Sequence, residues 1–84
     1  MNKDNTLQTI LAQAATHRET EVMQHQINID NYRLAIIEID NNYAGNADMA
    51  EFRTRLEDLL QSSIVEQMKE AIMLKVIKAQ LCTF

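Results

Sequence analysis

The stretch from Ile27 to Met49, INIDNYRLAIIEIDNNYAGNADM, decides the fold, because it holds the clearest apolar repeat in the chain and its single glycine. Read as a strand, the alternation covers Ile27 and Ile29 and then fails at polar Asn31. Read as a helix, Val22, Ile29, Ile36 and Tyr43 recur every seven residues, with His25, Tyr32 and Ile39 between them at three-to-four spacing. A repeat sustained over three heptads belongs to a helix whose apolar seam faces a partner helix. Met23, Ile27, Leu34 and Ile37 form a second strip, expected to adjoin the first, so this helix should contact more than one neighbour.

The repeat stops at NNYAGNAD. Gly45 suits the left-handed position after a helix end, which glycine alone occupies without steric penalty. Asp48 can cap the following helix, with Glu51 three residues later completing a capping-box spacing. A connection this short folds the chain back into an antiparallel helical hairpin.

Working outward, Asn5 or Thr6, with Gln8, offers a cap for the first helix, and no helix breaker follows before Gly45. The expected elements are therefore helix 1 over about 5–44, a turn at 45–47 and helix 2 over about 48–81, in a single domain spanning 1–84. In helix 2, Met49, Phe52, Leu56 and Leu59 keep three-to-four spacing, and Leu60, Ile64, Met68, Ile72 and Val76 continue in steps of four. Two oppositely charged pairs, Glu51 with Arg55 and Arg53 with Glu57, fall at the i,i+4 spacing that weakly supports a helix. The competing fold is a three-helix bundle with helix 1 broken near Thr16, where Thr16 and Glu19 also have capping-box spacing.

Composition agrees with an all-α chain, since 84 residues contain no proline, one glycine and 46% hydrophobic residues, whereas all-β chains need turn residues every 8–12 positions. A domain of this size buries only about 60–65% of the surface its unfolded chain exposes, so its core alone is marginal. A lone hairpin would leave one side of each stripe wet. Dimerisation into a four-helix bundle is the simplest remedy, with Val22, Ile29, Tyr32, Ile36, Ile39, Tyr43, Phe52, Leu56, Leu60, Ile64, Met68, Ile72 and Val76 as the core and interface residues.

Catalytic chemistry is not expected. His17, Glu21 and His25 lie one turn apart in succession, but neither the Glu-x-x-His pairs of di-iron bundles nor HExxH is present. Successive turns also set the outer two histidines about 12 Å apart along the axis, so this stripe supplies three ligands to one metal ion only with difficulty. Cys82 has no histidine near it in sequence, and Ser62 and Ser63 lack a nucleophile elbow. One glycine cannot build a phosphate-binding loop. No metal site, no cofactor and no enzymatic activity follow from these residues.

The single cysteine excludes an internal disulfide and points to a reducing compartment. MNKDNTLQTILAQAA lacks the character of a secretory leader, and the apolar run from Ala71 to Leu81 carries Lys75 and Lys78. The expected setting is the cytoplasm, away from membranes. A net charge of −4 disfavours direct nucleic-acid binding, which draws its affinity from lysine and arginine. Acids dominate residues 1–44, with Asp4, Glu19, Glu21, Asp30, Glu38 and Asp40 against Lys3, Arg18 and Arg33.

The expected function is a small interaction module that self-associates and docks a helical face on another protein. Tyr32 and Tyr43 are amphipathic anchors for such an interface, and Met68 and Met73 are adaptable apolar contacts. A short acidic hairpin without catalytic residues is of the type that bacteriophages and prophages carry as accessory or regulatory proteins acting on a host protein. The alternative is an acidic surface that mimics DNA and inhibits a nucleic-acid-processing protein.

Overall fold

A computed structural model describes residues 3–83, with side-chain surroundings from residue 5 onward. Met1, Asn2 and Phe84, and the side chains of Lys3 and Asp4 in the charge tally, lie outside the described residues. The chain forms two helices, α1 over Lys3–Asn42 and α2 over Ala47–Leu81, packed antiparallel as one extended hairpin. At 1.5 Å per residue they run about 60 and 53 Å, and the molecule measures 65 × 15 × 14 Å. Neither helix is long and apolar enough over its described residues to cross a membrane.

Helix α1 is continuous through Thr16, so the three-helix alternative does not form. The Thr16 hydroxyl donates to the carbonyl of Ala12 at 3.1 Å, and Thr9 and Thr20 bond back to Asn5 and Thr16 in the same way. Each threonine thus satisfies its hydroxyl against its own helix and does not cap a new one. The expected cap at Asn5 or Thr6 is corrected too, because both residues lie inside α1.

The turn starts two residues earlier than expected and is one residue longer. Helix α1 ends at Asn42, and the Asn46 amide donates to the Tyr43 carbonyl at 3.1 Å, closing a four-residue turn. Gly45 holds the third position at φ +86°, where a side chain would strain the backbone. Asn46, and not Asp48, caps α2: its backbone is extended and its side-chain oxygen accepts from the Met49 amide at 3.1 Å. The Asn46 side chain reaches the amide three residues on, and Asp48 falls in the first turn, where its charge suits the helix dipole.

The seam between the helices follows a strict seven-residue repeat. On α1 the covered or half-covered positions run Leu11, Ala15, Arg18, Val22, His25, Ile29, Tyr32, Ile36 and Ile39. On α2 they run Met49, Arg53, Leu56, Leu60, Ser63, Gln67, Glu70, Leu74, Ile77 and Leu81, with Ile64 and Ala71 half-covered beside them. Only Ala15, Ile29, Ile39 and Leu56 are buried among the described residues.

Several expected core positions face outward. Tyr43 lies past the end of α1, and it, Phe52, Met68, Ile72 and Val76 are exposed, the last three at 54–60%. Each step of four residues turns about 40° past a full revolution, so five such residues sweep from the inner to the outer side of the helix. Leu60 remains in the seam and Ile64 beside it, and the seam then continues through Gln67, Glu70 and Leu74.

Candidate interaction surfaces

The seam has three zones. Near the turn it is apolar, with Ile29, Tyr32, Ile36 and Ile39 against Met49, Leu56 and Leu60; at the open end Leu11 and Leu74, Ile77 and Leu81 close it. Between them lie Arg18, Glu21, His25 and Asn28 on α1 and Ser63, Gln67 and Glu70 on α2. Polar groups so placed must bond one another. Arg18 Nη1 donates to both oxygens of Glu70, at 2.7 and 2.9 Å, and Gln67 Nε2 donates to Gln26 Oε1 at 2.8 Å and to the Val22 carbonyl at 3.3 Å. His25 Nδ1 is buried without a hydrogen-bond partner.

Further ion pairs tie the hairpin along its length. Arg53 bridges Asp40 of α1, at 2.7 Å, and Glu57 of its own helix; Lys78 reaches Glu19 at 3.2 Å. The hydrogen bond from Arg53 holds the Asp40 carboxyl below its ordinary pKa, and Asp40 in turn raises Arg53. Glu51 with Arg55 and Glu66 with Lys69 pair on the surface of α2. Arg33 is the one arginine among the described residues that makes no ion pair.

Eight of the fourteen large apolar residues left exposed fall into two strips. On α1, Met23 and Leu34 are 66% and 64% exposed, and Ile27 and Ile37 are half-exposed. At seven residues per two turns Ile27 and Leu34 lie about 180° from the centre of the seam, and Met23 and Ile37 about 130° from it. The strip therefore lies on the back of α1, not beside the seam as the sequence suggested. On α2, Val65, Met68, Ile72 and Val76 form the second strip, on the side turned away from α1. The two strips consequently look in opposite directions. Since Arg18 meets Glu70 and Asp40 meets Arg53, the α2 strip is level with the N-terminal half of α1.

The amount of exposed surface is large for the mass. The hairpin exposes 6268 Å², whereas a compact monomer of 9.7 kDa exposes about 5,100 Å². The excess of about 1,100 Å² is on the scale of the roughly 800 Å² that each partner contributes to a standard protein interface.

Among the described residues no three His, Cys, Asp or Glu side chains are grouped so as to hold a metal ion. His17 is exposed on one side of α1, His25 sits in the seam, and Cys82 is exposed at the end of α2. An open concavity of about 520 Å³ along α1 is lined by Gln8, Thr9, Ala12, Gln13 and Thr16, with no charged side chain and with both threonine hydroxyls bonded to their own helix. A smaller one of about 220 Å³ at the turn is lined by Ala35, Glu38, Ile39, Tyr43, Met49 and Phe52. Comparison of the chain with protein-family models, with curated proteins and with solved structures finds no match.

Proposed function

We propose that the protein is a non-enzymatic interaction module, an accessory protein that works by docking the outer faces of its helices on other protein surfaces. One observation carries the reading: the back of each helix bears a strip of four large apolar side chains, Met23, Ile27, Leu34 and Ile37 on α1 and Val65, Met68, Ile72 and Val76 on α2. Water is a poor neighbour for such strips, and each costs free energy until another surface covers it. An inhibitor that mimics DNA has less support, because Glu19, Asp40, Glu51, Glu57, Glu66 and Glu70 are already paired with cations of the same chain. Charges neutralised in this way contribute little to attracting a basic cleft.

The reading is tested with Leu34→Asp and Ile72→Asp. Both positions are 60% exposed or more, so the hairpin should keep its helical circular dichroism. Immobilised parent protein is expected to retain a stoichiometric protein from nuclease-treated lysate of its source cell, or a second copy of itself, and one of the variants should lose it. Parent and variants that are all monomeric and retain nothing would overturn the reading.

A further inference from the structure

We propose that the back of α1 binds a second copy of this chain, helix against helix and antiparallel, with Asp30 of each copy paired to Arg33 of the other. The inference rests on the interaction-module reading and names the occupant of one of its two faces.

The strip on α1 is a coiled-coil stripe interrupted once. Met23, Ile27, Asp30, Leu34, Ile37 and Asn41 alternate in steps of four and three, so that Met23, Asp30 and Ile37 hold one core position of the heptad and Ile27, Leu34 and Asn41 hold the other. A polar residue at a core position of a helix pair characteristically selects register and orientation at some cost in strength.

Orientation follows from the charge. In a parallel pair each residue of the stripe faces its own copy, which would set Asp30 against Asp30 between apolar layers. In an antiparallel pair the two kinds of core position alternate across the interface, so Ile27 packs on Ile37, Asp30 on Leu34, and Met23 on Asn41. Arg33 immediately precedes Leu34 on the edge of the stripe, which brings its guanidinium to the Asp30 carboxylate of the other copy. The twofold axis repeats the pair, giving two ion pairs at the centre of the contact.

Within one hairpin both charges wait for such a partner. Arg33 makes no ion pair, and Asp30 meets no cation, accepting only from Gln26 Nε2 at 3.0 Å. The area is also sufficient. Covering the exposed parts of four large apolar side chains removes on the order of 100 Å² each, about 800 Å² for the pair, and the flanking polar residues bring the total toward the roughly 1,200 Å² of a specific interface. Val65, Met68, Ile72 and Val76 point the other way and stay free for a different protein.

The test is sedimentation equilibrium of the full chain carrying Cys82→Ser, from low to high micromolar concentration. The expected mass is twice the 9.7 kDa of one chain. Asp30→Arg sets two arginines together and should weaken the pair on the order of tenfold or more, and Arg33→Asp should do the same with two carboxylates. The double variant, which exchanges the charges, should recover the dimer. Circular dichroism distinguishes dissociation from unfolding, and cysteine cross-linking gives a second readout: Asn31→Cys, beside the twofold axis, should form a disulfide with itself, and Met23→Cys should not. A monomer at every concentration overturns the proposal while leaving the α2 strip, and the module reading, to stand. A dimer indifferent to both charge reversals, or one cross-linked through Met23→Cys, equally overturns it.

Discussion

Replacing Ile29 by alanine measures how much of the hairpin depends on its seam. Ile29 is 2% exposed and is the largest fully buried side chain among the described residues. Removing three carbons costs about 2.5 kcal/mol of transfer free energy at roughly 0.8 kcal/mol each, and a residual cavity adds to that, for a total of about 3 kcal/mol. A chain of 84 residues has a stability of about 4–13 kcal/mol on general grounds, and one with four buried residues among those described belongs near the lower end. The substitution therefore removes most of the reserve. Urea titration followed by circular dichroism should show the midpoint falling by about 2 M or more, given a slope near 1 kcal/mol/M for so small a protein. Leu34→Ala provides the contrast. At 64% exposure Leu34 loses little in one hairpin, so its cost should stay below about 1 kcal/mol in dilute solution and grow with protein concentration if a partner covers it. Equal costs for the two substitutions at low concentration would refute the assignment of Ile29 to the inside and Leu34 to the outside.

Gly45→Ala should cost about 1–2 kcal/mol, a fall of roughly 4–8 °C in Tm per kcal/mol, through backbone strain alone. An added Cβ would meet no atom within 4 Å, so a steric clash is not the cause. Arg18→Ala leaves Glu70 charged, 17% exposed and without its cation, and should cost about 1–3 kcal/mol in urea titration; the double change to methionine at Arg18 and Glu70 should recover most of that. Stability should also fall in acid. The Asp40 pKa is lowered by folding, so its contribution is complete above the ordinary aspartate value of about 3.9 and disappears as pH drops through the folded value. Asp40→Asn should remove that part of the acid dependence, read as the difference in Tm between pH 6 and pH 3.

The apolar half of the hairpin was legible in the sequence and the polar half was not. Val22, Ile29, Ile36 and Ile39 announce a seam because hydropathy and geometry agree at those positions, and Gly45 marks the turn because only glycine takes its φ cheaply. Beyond Leu60 the two signals part. The strongest apolar run, Leu60 to Val76 in steps of four, leads off the seam, and the seam itself passes through Gln67 and Glu70, which hydropathy rejects. What could have found it is complementarity between the helices. Arg18 recurs seven residues before His25 and Leu11 seven before Arg18, so a strict heptad count backwards from Tyr32 places Arg18 inside and asks for an acid opposite it. The cap moved from Asp48 to Asn46 for a related reason, since both residues can cap and the position of Gly45 decides which one follows the turn.

That division of the seam explains why the outer strips are where they are. In its C-terminal half α2 spends Ser63, Gln67 and Glu70 on α1 and turns Val65, Met68, Ile72 and Val76 to the outside. Rotating the helix to bury those four would wet the three polar residues, and would also wet Leu74, Ile77 and Leu81 of the seam. The Arg18–Glu70 pair and the Gln67 hydrogen bonds oppose that rotation, because turning α2 would break every one of them and leave Arg18 half-buried without its anion. Polar seam residues thus act together with Leu74, Ile77 and Leu81 to fix the rotation of α2, and with it the outward face of Val65, Met68, Ile72 and Val76.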